Sequence, residues 1–179
     1  KSNRDLGFPY CPDRLDWAFK EGGTAMQMPW ETIFEYANIY AMICWLALLL
    51  APRREQVLPL LFMGGCGLLA ATYTVLIVGL MSGTLDAAGP RSQDFSSLAG
   101  VMGLFDSKGG ATIGWIHYLA FDLFVGIWAA RNADRRGIAR WMQLPVLPFI
   151  FLLGPLGLVL YLALRTFAGK SVENGIAPS

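Results

Sequence analysis

The chain has 179 residues and a net charge of +1, with 55% apolar and only 15% charged residues. Soluble domains carry about 25% charged residues, so the deficit points to a lipid bilayer. The near-neutral balance gives no argument for nucleic acid or an acidic partner.

Residues 1–28 mix polar and aromatic side chains (DLGFPYCPDRLDWAFKEGG) without a long apolar run. They read as a surface arm with a short helix near 13–20, suited to docking on a larger membrane complex.

Four apolar stretches follow, at about 30–51, 57–81, 111–130 and 144–167. A hydrocarbon core of ~30 Å needs about 20 helical residues, and each stretch meets that length. The expected fold is all-α: a polytopic membrane protein with four transmembrane helices in an antiparallel bundle. The membrane domain covers 29–168, and 169–179 form a C-terminal tail. Between the second and third stretches, SGTLDAAGPRSQDFSSLAGVMGLFDSKGG is too long for a simple turn. Within it FSSLAGVMGLF (95–105) is weakly amphipathic and predicts a short interfacial or re-entrant helix.

The short loops carry Arg53 and Arg54, then Arg131, Arg135, Arg136 and Arg140. Lys/Arg bias assigns these loops to the cytoplasmic or stromal side, as retention charges. The N- and C-termini are then expected on the opposite side. The three cysteines, Cys11, Cys44 and Cys66, show no CxxC or Cys/His ligand spacing, which argues against a structural zinc site or disulfide framework.

GWIHYLAFDLFVGIWAARNADRRG (114–137) holds His117 and Asp122 inside an apolar run. A charge at helix centre costs about 2.5–3.5 kcal/mol on insertion scales, so both side chains are expected to point inward and to have partners. They lie roughly 140° apart around the helix axis. Asp122 shares a face with Trp115, Gly126 and Ala129. His117 shares one with Gly114, Phe121, Phe124 and Trp128. By depth, Glu35 of the first span, His117, and Tyr73 of the second are expected around one cavity.

Asp122 lies deeper, level with Gly154-Pro155-Leu156-Gly157 of the fourth span. Pro155 lacks an N–H, which frees the Phe151 carbonyl. That carbonyl needs a neighbour in lipid, and a protonated Asp122 is a candidate donor. Gly154 and Gly157 allow close approach of a helix or ligand. Glu35, Asn38 and Met42 form an i, i+3, i+7 stripe, where Asn38 bridges helices or holds a ligand oxygen. Each residue has two or more readings. Asp122 is a helix clamp or a proton donor. His117 is a satisfied interior histidine, an acid/base, or a metal or haem ligand. Glu35 is an interfacial residue wetted by headgroup water, or a base.

ETIFEYANIYAMICWLALLLAPR, FSSLAGVMGLF, GWIHYLAFDLFVGIWAARNADRRGI and LPVLPFIFLLGPLGLVLYLALR together resemble the neoxanthin synthase-like, abscisic-acid-deficient family of small four-helix membrane proteins. The most specific part is W-x-H-Y-L-A-F-D-L-F-V-G before a basic turn, with GPLG in the next helix. The resemblance runs from about Pro29 to Arg165; residues 1–28 fall outside the pattern.

The resemblance implies a bacterial inner-membrane or plastid location and a carotenoid or other isoprenoid lipid as ligand. It implies a carotenoid isomerase, converting an epoxide to an allene or interchanging cis and trans double bonds. Such chemistry needs an acid and a base and no redox cofactor; no cofactor and no metal are expected beyond a bound carotenoid. An acid kept neutral by burial suits Asp122 to the donor role. His117 or Glu35 suits the base role. Tyr73, Trp115, Trp128 and Phe121 are expected along the polyene, with Asn38, Gly154 and Pro155 as further contacts. The competing reading is a non-catalytic pigment-binding or accessory subunit of a photosynthetic or respiratory complex, docked through the arm.

Overall fold

A computed structural model describes residues 25–52, 56–89 and 95–173, with side chains described through 168. Arg53, Arg54 and the helix expected near 13–20 lie outside the described residues. Four segments are long and apolar enough to cross a membrane: α1 (Trp30–Leu50), α2 (Val57–Met81), α4 (Lys108–Arg135), and Arg140–Ala168. The last comprises the short helix α5 (Arg140–Gln143) and most of α6 (Val146–Glu173). A further helix, α3 (Leu98–Phe105), precedes α4. The chain is an all-helical integral membrane protein, and the outer faces of α1, α2 and α6 are largely apolar because acyl chains replace water there.

Helix starts follow local chemistry. Ser97 caps α3 by accepting from Gly100 N at 3.1 Å, and Ser107 caps α4 by accepting from Gly110 N at 3.0 Å. The Ser107 cap starts α4 at Lys108, one turn before the expected 111, and the helix runs on to Arg135. Inside α2, residues Leu61–Cys66 form a π turn, which leaves carbonyls out of register. Tyr40 of α1 donates its hydroxyl to one of them, Gly64 O, at 2.6 Å.

α4 is the central helix. Ile116, Leu123, Ala130 and Ala133 are fully buried in it, and α1, α2, α3 and α6 all pack around it. At one end of the bundle the 82–89 loop joins the first residues of α1 and α4. Met26 pairs with Leu85, Trp30 Nε1 donates to Asp86 O at 2.9 Å, and Gly109 N donates to Ala87 O at 2.8 Å. At the other end Arg140 Nη2 donates to Leu49 O at 2.6 Å.

The fourth apolar segment departs from the straight span expected. Leu153 (φ −137°, ψ 27°) and Gly154 (φ 20°, ψ −83°) break α6. Before the break, the Leu152 carbonyl faces Tyr118 on α4. After it, Tyr161 donates to Asn132 and packs edge-on against Trp128. Partners on α4 thus move from 118 back to 132, toward the end where α6 began. An antiparallel span would have moved to lower numbers.

The halves fold against each other so closely that a Cβ on Gly157 would strike the backbone of Ile150. α6 is therefore a helical hairpin with its tip at the depth of Asp122. Its second half ends beside the arginine-bearing turn: Tyr161 donates to the Asn132 Oδ1 that also accepts from Arg136. That corrects the expectation that the chain leaves the bundle at the end where α1 begins. The physical reason is the pair of glycines, which permits both the left-handed turn and the backbone contact.

Candidate functional site

A groove of about 350 Å³ opens between α2, α3 and α4. Ile77 of α2 and Ile113 of α4 form its walls, and Val101, Leu104 and Phe105 of α3 cover it. Gly114 makes the cover possible: a Cβ there would lie 2.5 Å from Phe105 Cε1. Among the described lining residues, the only polar side chains are Tyr73 and His117. Their ring centroids lie 5.1 Å apart, and the Phe121 ring lies 4.6 Å from the imidazole. Phe105, Phe121 and His117 are all exposed, so the groove opens sideways toward the acyl chains.

His117 therefore does not point into the bundle core, as the cost of intramembrane charge suggested. It faces the groove and the lipid side through its edge, with aromatic rings as neighbours. Asp122 does point inward and is 7% exposed. Its Oδ1 lies 2.6 Å from where a Gly154 side chain would begin. Its Oδ2 is buried and has no hydrogen-bond partner among the described residues. Tyr118, one turn earlier on α4, has its hydroxyl beside this carboxyl and donates to Leu152 O at 3.3 Å. The carbonyl met by a side-chain donor at the break is thus that of Leu152, served by Tyr118, where Phe151 served by Asp122 was expected.

His117 and Asp122 lie on different sides of α4, as their angular separation requires. The expected meeting of Glu35, His117 and Tyr73 is realised only for the last two. Glu35 is exposed on α1 and does not line the groove. Asn38 accepts from Trp115 Nε1 at 2.8 Å and donates to Phe34 O at 2.8 Å, which ties α1 to α4. Trp115 stacks on Tyr118 at 5.4 Å, away from His117. Trp128 packs near the arginine-bearing end, on Tyr161. The expected polyene track of Tyr73, Trp115 and Trp128 is split among three places, because positions 115 and 117 project to opposite sides of one helix. Pro155 is exposed at the hairpin tip, and Gly154 is buried against Asp122.

Reasoning from sequence missed Phe105 and Tyr118, and placed Gly114 on the His117 face without its role in admitting Phe105. Tyr118 was within reach, since positions four apart on a helix face each other. Phe105 was not, because its contact with Gly114 depends on how the loop before α4 folds back.

The model of the ABA4-like family, ABA DEFICIENT 4-like, matches residues 32–161. The chain belongs to this family. The matched stretch contains the Tyr73–His117 groove, the Asp122–Gly154 contact and Tyr161, so the family's pattern extends through both halves of the hairpin up to that tyrosine. No curated protein and no solved structure matches the chain significantly.

Proposed function

We propose that this ABA DEFICIENT 4-like protein draws a carotenoid-class isoprenoid from the bilayer into the groove and isomerises its oxygen-bearing end. The supporting observation is the groove itself: it is apolar, opens sideways and holds a single pair of polar side chains, Tyr73 and His117, among its described lining residues. A long hydrocarbon with one oxygenated end-ring fits that distribution. The end-ring occupies the covered part under Phe105, and the chain leaves past exposed Phe121.

The reaction that suits the pair is opening of an epoxide to an allenic alcohol. The imidazole of His117 removes a proton from the vinylic carbon next to the epoxide. The released electron pair forms the second double bond of the allene as the epoxide C–O bond breaks. The Tyr73 hydroxyl gives its proton to the departing oxygen, which becomes the alcohol. Proton return from imidazolium to phenolate restores both groups, and the product has the atoms of the substrate. Apolar walls exclude water, which strengthens each polar contact with the substrate. In this reading Asp122 holds the hairpin tip, and Trp115 with Asn38 holds α1 on α4.

The test is conversion of violaxanthin in membranes containing the protein. His117→Ala and Tyr73→Phe are each expected to abolish product while leaving folded protein in the membrane. Violaxanthin bound but unconverted by the wild type would make the groove a pigment site of an accessory subunit and remove the chemistry.

A further inference from the structure

A second groove lies near the arginine-bearing end of α4, some 15–20 Å along that helix from His117 by helical rise. It has a volume of about 170 Å³. Phe62 of α2 and Phe124 and Trp128 of α4 form its apolar part, and Arg131, Asn132 and Arg135 form its mouth. Phe62 and Phe124 pack at 6.0 Å, making an aromatic floor.

The mouth is built as a cluster of donors. Neither Arg131 nor Arg135 has an ion pair or hydrogen bond among the described residues. They are four apart on one helix, where like charges repel each other. The acid of the same turn, Asp134, accepts from Gln143 at 3.0 Å. Asn132 is oriented by its neighbours. Its Oδ1 accepts from Tyr161 Oη at 2.8 Å and from Arg136 Nε at 3.1 Å. A guanidinium only donates, so the amide oxygen must face Arg136 and the NH₂ is left as a third donor.

We propose that this groove is a binding site for an anionic phospholipid, with the phosphate between Arg131, Asn132 and Arg135 and an acyl chain against Phe62, Phe124 and Trp128. Charge complementarity selects this occupant. Two cations and an amide converge where a span meets the headgroup layer, and the apolar slot runs from them into the core. Guanidinium groups hold phosphate oxygens by paired hydrogen bonds. A zwitterionic lipid offers the same tail but a headgroup whose ammonium opposes the arginines. A free phosphate offers the anion without the tail.

The purified full chain is equilibrated in mixed micelles with equal amounts of phosphatidylglycerol and phosphatidylcholine of identical acyl chains, and retained lipid is read by native mass spectrometry. The wild type is expected to retain phosphatidylglycerol about thirtyfold over phosphatidylcholine, in keeping with the worth of two arginines at a lipid surface. R131Q/R135Q removes the preference, and R165Q, at the same end of the bundle, keeps it. Circular dichroism and gel filtration establish that both variants are folded. Ten millimolar inorganic phosphate should leave the lipid in place. An R131Q/R135Q protein that keeps the preference, an R165Q protein that loses it equally, or displacement of the lipid by inorganic phosphate each overturns the site as stated.

Discussion

The Asp122 carboxyl fills the space in which a side chain at Gly154 would begin, with Oδ1 2.6 Å from that position. This contact joins the middle of α4 to the tip of the α6 hairpin. The acid and the helix break therefore form one structural feature. Exposed backbone at membrane depth is tolerated only where protein covers it, and Asp122 with Tyr118 supplies the cover.

Gly154→Ala is accordingly expected to destabilise the protein by about 1–3 kcal/mol, from the clash and from a φ that side chains disfavour. Combining it with Asp122→Ala relieves the clash, so the double variant loses less than the sum of the singles. Unfolding in increasing SDS, followed by circular dichroism, measures both. Additive losses would show that the two residues do not touch.

Gly126 plays the matching role on the α1 side. A Cβ there would lie 2.5 Å from Trp45 Cη2 and 3.2 Å from a Leu48 methyl. Gly126→Leu is expected to part α1 from α4 and to cost several kcal/mol, as overpacking of a close helix contact does. Gly126→Ala costs less, about 1–2 kcal/mol, and Trp45→Phe restores part of it by shortening the ring that meets the new methyl. The same SDS titration reads the series.

The Trp115–Asn38 hydrogen bond crosses from α4 to α1 inside the membrane domain at 2.8 Å. Bonds of this kind average about 0.6 kcal/mol, because side chains find other partners in the unfolded membrane state. Trp115→Phe should therefore be mild, while retaining turnover. Loss of turnover from this substitution alone would place Trp115 in the reacting site.

Much of the helical layout was legible from residues alone. The first two spans begin and end where length and apolarity set them. The short helix before α4 follows from the weak amphipathic pattern at 95–105. The angular split between Asp122 and His117 also follows from helix geometry. The hairpin did not. A proline flanked by glycines reads equally as a kink or as a reversal, and the choice is made by partners distant in sequence: Gly157 on Ile150, and Tyr161 on Asn132. The outward aim of His117 was hidden for a related reason. Insertion cost argues for a covered imidazole, whereas here it stays exposed at the groove beside Tyr73 and Phe121.

The hairpin has a direct topological consequence. In a background with Cys11 replaced, Gly137→Cys and Phe167→Cys should react with an impermeant maleimide from the same side of sealed vesicles. Thr84→Cys should react only from the other side. Labelling of positions 84 and 167 from one side would instead make α6 a straight span.

The proposed division of labour gives proton transfer to the Tyr73–His117 groove and the support of the fold to Asp122. It is tested most directly by conversion of violaxanthin in membranes holding equal amounts of folded His117→Ala and Asp122→Asn proteins. His117→Ala should give no product, and Asp122→Asn near-wild-type product per folded molecule. An active His117→Ala beside an inactive, folded Asp122→Asn would contradict it.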